Sequence, residues 1–366
     1  MEDSADQLYL HRLITGCSIS PVTRWRALHY GGNLRMKQKE LKMKVLAVLT
    51  ACAAALLLSA CGAAEKVSEA ADKIETTVKE EWTPLPELSK EASIEETVIY
   101  NDNDVCITAN SLKYGGGSVY LNLTFENNSS KELEFIAESM GYSCNSVNRY
   151  MIENGYVNCK VPAGGTETDE AAFRYDELSL YGFPGIAEIQ IGFEVEDDDY
   201  NSFYTGPLTI KTSLADSYDF NTDTYRKTIN SKALKAKFEF EVPYFSEDVI
   251  YSSAGFSIIS ELMMANKDGD RVVMLEFAND TDSPATIKLK DIKANDVMIY
   301  DGSYSYDTIN PHTKALVSIR LDRIKDAEEW KALGIKDIES VGFHLNILSE
   351  SENDLAEPMD VMIPLK

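Results

Sequence analysis

The chain has 366 residues, with 60 Asp and Glu against 35 Lys and Arg and a net charge of −25. Such a balance disfavours nucleic acid and anionic lipid as partners, because both are bound through basic surfaces. A hydrophobic content of 44% is globular rather than disordered, and the length beyond the leader described next favours two domains over one.

Residues 1–35 show neither a 3.6 nor a 2.0 periodicity, and they read as an upstream segment from a misassigned start codon. Four lysines follow Met36 (Lys37, Lys39, Lys42, Lys44), then an apolar run from Val45 to Leu58 and a small-residue boundary, Ser59-Ala60-Cys61-Gly62. A basic region, a short apolar region and small residues at a cleavage site make a secretory signal. The apolar run is shorter than the about 18 residues a spanning helix needs. Leu58-Ser59-Ala60-Cys61 resembles the lipobox of bacterial lipoproteins. That resemblance implies a signal peptide over 36–60, lipid attachment at Cys61, and an extracytoplasmic protein anchored to the cell membrane. The discarded part holds 8 Lys and Arg and 4 Asp and Glu, which leaves 27 against 56 in the exported body. A body so acidic suits a protein held off an anionic envelope.

Residues 61–95 are rich in Ala, Glu, Lys and Thr. Val67, Ala71, Ile74 and Val78 fall at helical spacing before Pro84 and Pro86 stop the pattern; this reads as an acidic, partly helical tether. An internal repeat follows. Val98-Ile99-Tyr100 matches Val249-Ile250-Tyr251, 151 residues on, and Phe125-Glu126-Asn127-Asn128 matches Phe277-Ala278-Asn279-Asp280, 152 on. Ile191-Gly192-Phe193 matches Val341-Gly342-Phe343, and Gly206-Pro207-Leu208 matches Glu357-Pro358-Met359. Four matches in register predict two copies of one domain, at 96–212 and 246–366. The polar stretch 213–245 reads as a linker and connecting strand.

Each copy reads as all-β. Val119, Leu121, Leu123 and Phe125 alternate with polar residues, as do Val273, Leu275 and Phe277 in the second copy; Ile189, Ile191, Phe193 and Val195 repeat the pattern. Period-two alternation is the mark of antiparallel sheets with one packed face. Short helical turns are expected at 176–181 and 326–333. Seven to nine short strands per copy predict two tandem immunoglobulin-like β-sandwiches. Phe125-Glu126-Asn127-Asn128-Ser129-Ser130, Val161-Pro162-Ala163-Gly164-Gly165 and Gly334-Ile335-Lys336-Asp337-Ile338 resemble the uncharacterised Ig-like domains of Gram-positive surface lipoproteins. The resemblance implies extracytoplasmic modules and carries over no catalytic residue.

Three cysteines remain beyond Cys61. Cys144 and Cys159 flank a predicted hairpin, where a disulfide could contribute ~3 kcal/mol; Cys106 alternates outward. His312 falls in a turn and His344 on a strand at an outward position. No GxSxG, HExxH or P-loop pattern occurs, so neither an enzyme, a cofactor nor a metal is expected. The acidic clusters Asn101–Asp104, Glu196–Asp199 and Asp268–Asp270 lack the EF-hand order. Tyr142, Tyr150 and Tyr156 lie among Asn, Ser and Gly, and Tyr300, Tyr304 and Tyr306 occupy the comparable place in the second copy. Tyrosine in such company is suited to contact surfaces, although rings capping a sandwich edge would read the same way. The expected function is a non-catalytic binding or structural module of the cell envelope, with the membrane as a partner through the anchor. The alternative is a ligand-capturing lipoprotein that takes a glycan or peptide on these six tyrosines.

Overall fold

The structure, a computed structural model, describes residues 87–137, 145–266 and 269–365. The predicted signal peptide, Cys61, most of the predicted tether, Tyr142, Cys144 and Asp268 lie outside the described residues. Strands take 53% of the described residues and helices 11%, so the architecture is mostly β, as expected.

The first copy contributes β1 (Thr97–Asp102), β2 (Val105–Gly115), β3 (Ser118–Asn127), β4 (Leu133–Ala137), β5 (Ser146–Val147) and β6 (Tyr150–Met151). It continues with β7 (Val157–Val161), β8 (Thr166–Arg174), α1 (Tyr175–Leu178), β9 (Glu188–Ile191), β10 (Glu194–Asp197), β11 (Ser202–Tyr204) and β12 (Leu208–Lys211). One sheet runs β1-β2-β3-β8 and a second β11-β10-β4-β7. Their alternating apolar faces meet: the Phe125 ring of β3 lies 4.8 Å from Phe135 of β4 and 5.4 Å from Phe193. The β2–β3 turn needs left-handed backbone at Gly116 and Gly117 (φ 54° and 84°), a conformation glycine adopts without steric cost.

After α2 (Thr224–Ile229) and α3 (Lys232–Phe238), the second copy supplies β13 (Phe240–Ser246), β14 (Tyr251–Ser253), β15 (Phe256–Asn266), β16 (Arg271–Asn279), β17 (Ala285–Ala294) and β18 (Val297–Ile309). Then come β19 (Thr313–Arg320), α4 (Leu321–Ile324), α5 (Ala327–Ala332), β20 (Ser340–Leu348) and β21 (Met359–Pro364). β14, β15, β16 and β19 pair in the order of β1, β2, β3 and β8. The order β18-β17-β20-β21 reproduces β7-β4-β10-β11.

The duplication extends to individual hydrogen bonds. Asn127 Nδ2 reaches the carbonyls of Lys131, Val161 and Pro162 (2.7–3.1 Å). Its Oδ1 accepts from the backbone and hydroxyl of Ser129. In the second copy Asn279 Nδ2 reaches Ser283, Ile309 and Asn310 (2.9–3.2 Å), and its Oδ1 accepts from the backbone and hydroxyl of Thr281. Both asparagines are buried, and each ties the end of a strand on one sheet to the last carbonyls of a strand on the other.

Two sequence expectations change. The stretch read as a linker packs: Asp223 and Ser231 cap α2 and α3 through bonds from Arg226 N and Leu234 N, and Tyr225, Ile229, Ala233 and Leu234 are buried. Polar composition concealed four apolar residues at helical spacing. The last part of the predicted tether, 87–95, also packs, with Ala92 buried, Tyr114 Oη donating to its carbonyl (2.9 Å) and Ser213 N bonding Ser93 O (2.8 Å).

The copies share a sheet. β12, β9, β5 and β6 run into β19, β16, β15 and β13 to make nine strands with β14, joined where Tyr150 of β6 lies parallel to Lys314 of β19. Among the described residues no helix is long and apolar enough to cross a membrane.

Replacing Asn127 or Asn279 by Ala strands several buried carbonyls and backbone donors, each worth about 1–3 kcal/mol when left unmade. Each variant is expected to lose at least about 2 kcal/mol in urea unfolding. Midpoints unchanged from the wild type would show that these bonds do not hold the sheets together.

Candidate functional site

β16 is buried on both faces. Val273, Leu275 and Phe277 enter the core of the second copy, while Val272 and Met274 enter the core of the first. A strand so placed reads as a continuous apolar run, which Val272-Val273-Met274-Leu275 is. Glu276 interrupts that run on the face turned to the first copy.

The Glu276 side chain is wholly buried. Tyr150 Oη donates to its Oε1 at 2.8 Å and Ser260 Oγ to its Oε2 at 2.6 Å. Arg226 Nε stands 3.5 Å away and Lys314 Nζ 3.6 Å. Asp223 completes the group, paired with Arg226 and 3.5 Å from Lys314 Nζ. Two carboxylates thus meet two cations drawn from the first copy's companion helix and the second copy's strands. Burial, then repulsion from Asp223, raises the Glu276 pKa above the ordinary glutamate value, against the pull of Lys314 and the two hydroxyls. Rings of Tyr181, Phe183 and Tyr225 surround Tyr150 at 5.3–6.2 Å. Asn310 Nδ2 adds a second tie between copies at Gln190 (2.9 Å).

This arrangement corrects the reading of Tyr150 as a ligand contact. It is 4% exposed, its hydroxyl is engaged with Glu276, and its ring lies under Lys314 Nζ at 5.1 Å. Tyr304 is likewise structural in its bonding: its hydroxyl accepts from Arg320 N at 2.7 Å, and burial pushes its pKa up to about 12. Tyr300 packs edge-on to it at 5.6 Å yet stays 38% exposed, while Tyr306 is 52% and Tyr156 60% exposed. Of the six tyrosines, the structure brings Tyr300, Tyr304 and Tyr306 together on β18 and sets Tyr156 in the other copy. Lys288 Nζ lies 4.3 Å from the Tyr306 ring centre, and its hydrogen bond lowers the phenol pKa.

Among the described residues, the histidines and the acidic turns have local partners, and the cysteines do not. Cys106 and Cys159 carry free thiols; burial pushes Cys159 up to about 11, with smaller contributions from Asp169 and Glu167. His312 bonds Asp282 and His344 bonds Asp360, each at 2.9 Å. Asn103 and Asp104 form a left-handed turn between β1 and β2, and Asp197 is held by Lys131 at 2.6 Å and by Asn201. Among the described residues no three His, Cys, Asp or Glu side chains group as a metal site.

No family model matches the chain, and no curated protein matches it in sequence. Among solved structures it is similar to the YadV chaperone (11% identity, 70% of this chain and 99% of that one, TM-score 0.21). Others are a conserved domain protein from Bacillus anthracis (11%, 78% and 95%, 0.19) and a red sea bream transglutaminase (11%, 73% and 32%, 0.18). TM-scores this low carry no inference about fold or function.

Because the raised pKa lets the folded chain keep a proton the unfolded chain has released, the stability owed to Glu276 is full below the ordinary glutamate value. It is lost as pH rises through the higher folded value. Glu276→Gln removes that dependence. Urea midpoints should therefore favour the variant more at pH 7 than at pH 5, and a difference independent of pH would show that the Glu276 pKa is not raised.

Proposed function

We propose that the chain is a membrane-anchored extracytoplasmic lipoprotein whose two immunoglobulin-like β-sandwich repeats serve as a non-catalytic binding or structural module of the cell envelope. The observation that carries this reading is Leu58-Ser59-Ala60-Cys61 directly behind a basic and then apolar segment. A diacylated cysteine satisfies the need for more than one acyl chain in stable anchoring. The repeated pairing order, two facing sheets per copy and matching asparagine bonds support the Ig-like assignment. The shared sheet and the buried charges around Glu276 support a stiff two-domain rod more than two beads on a string.

A second reading, capture of a ligand by tyrosines, is favoured by one observation: Tyr300 and Tyr306 stand exposed on one strand, Tyr306 beside Lys288. It no longer includes Tyr150, whose ring is inside.

In a bacterial host, palmitate labelling and detergent phase partition test the anchor. The wild-type chain is expected to label and enter the detergent phase, and Cys61→Ala to do neither. An unlabelled wild-type chain left in the cytosol with residues 36–60 attached would overturn the assignment.

A further inference from the structure

We propose that the outer edge of β8 takes an extended, basic segment of a partner protein as an added strand, with Glu167 and Asp169 meeting its lysine or arginine side chains. The duplication supplies the template, because β19 is the counterpart of β8. Glu126 faces Thr166 and Phe125 faces Glu167 in the first copy, as Ala278 faces Lys314 and Phe277 faces Ala315 in the second. In the second copy that edge is occupied. β6 lies beside it in parallel at Lys314, whose N–H donates to Arg149 O at 2.8 Å, and Met151 of β6 is buried in the second copy's core.

In the first copy, among the described residues, β8 ends its sheet with no strand beyond it. It runs for 9 residues without a proline or a register shift. Bonds from Asn127 N to Gly165 O and from Tyr175 N to Gly117 O bracket its ladder with β3, so its odd-numbered peptide groups face β3 and its even-numbered ones face outward. Gly155 N takes the Ala172 carbonyl at 3.1 Å, and Asp169 Oδ1 holds the Glu170 N–H at 2.8 Å. Thr166 and Thr168 are exposed, and their outward groups have no strand beside them, the condition for strand addition. β21 is a regular edge too. There, however, Leu365 N bonds Glu339 O, which turns Pro364 outward with no N–H to give, and neither β21 nor its counterpart β11 has a strand seated on it.

Side chains select the kind of strand. Ala315 and Val317 are buried on the core face of β19, each 1% exposed. At the same places β8 carries Glu167, exposed, and Asp169, half-buried. Both act on the Cys159 thiol of β7, raised first by burial and then by their charge, so they stand between β7 and β8, on the side from which Met151 joins the core in the other copy. Among the described residues neither carboxylate is in an ion pair within 4.0 Å. The cations of these two strands, Lys160 and Arg174, pair with Glu134 and Glu177 instead. A lysine or arginine on the added strand lays its aliphatic stem along the core edge and brings its charge to the two carboxylates. A second copy of β8 would set acids against acids, and a chain of net charge −25 repels its own kind.

This edge binding rests on the reading of the repeats as a binding module and stands apart from the anchor. The test is fluorescence anisotropy of a labelled octapeptide of alternating Lys and Val, titrated with the full chain in neutral detergent. The peptide should bind, and its Glu–Val counterpart at least ten-fold more weakly. An added strand uses one of its edges, so N-methylation at the Lys positions or at the Val positions, but not at both, should cost at least ten-fold. Thr168→Pro removes an outward donor and leaves the ladder with β3 intact; it should weaken binding at least five-fold. Glu167→Lys with Asp169→Lys should weaken it at least ten-fold, and unchanged thermal unfolding of that variant excludes misfolding as the cause. No binding by the wild type, equal binding of the Glu–Val peptide, equal effects of the two methylations, or indifference to the charge reversal would each overturn the proposal. So would self-association of the chain through this edge in place of peptide binding. Cys61→Ala run alongside separates the two readings, since it should lose the anchor and keep the peptide.

Discussion

Glu276 is a carboxylate with no contact to solvent, and everything that makes it tolerable comes from other parts of the chain. Tyr150 arrives from the first repeat, Asp223 and Arg226 from the helix between repeats, and Ser260 and Lys314 from neighbouring strands. A buried ion costs several kcal/mol to desolvate, and losing one partner of such a group typically costs about 3–5 kcal/mol. The group is therefore satisfied in one arrangement of the two repeats and expensive in others. Its value lies in specifying how the repeats meet more than in net stability, which well-packed apolar residues could match.

Around that seam the two copies keep a common frame and differ at their surfaces. The asparagine ties at 127 and 279 are the same bonds made twice, because the strand crossing they hold is the same. The outward residues carry no such constraint. On β4 and β10 they include Glu134, Ile136, Glu194 and Glu196; on the corresponding strands β17 and β20 they include Lys288, Lys290, Asp291, Lys293 and His344. Packing fixes the inward half of each strand and leaves the outward half free to acquire different charge. A duplicated scaffold thereby gains two unlike faces.

Much of the fold was legible in the chain. Val119 to Phe125 and Ile189 to Val195 declare their buried faces by alternation alone, and the spacing of Phe125-Glu126-Asn127 and Phe277-Ala278-Asn279 declares the duplication. What escaped was packing between the copies. Val272-Val273-Met274-Leu275 is apolar on both faces, a sign of a strand covered twice, but nothing local tells which element covers the second face. Tyr225, Ile229, Ala233 and Leu234 were hidden for a similar reason: four apolar residues in a polar stretch do not reveal that a neighbouring core awaits them. Tyr150 shares its local company of Asn, Ser and Gly with an exposed tyrosine, Tyr156, and only a partner 126 residues away separates the two.

By itself the sequence determined the acidic balance, the strand periodicity and the repeat, since each depends on residues close together or on simple counts. Tertiary structure alone decided that the repeats share a sheet and that Tyr150 is interior while Tyr306 is not. Those outcomes depend on contacts between segments distant in the chain, and burial and charge state are properties of the assembled surroundings rather than of the residue.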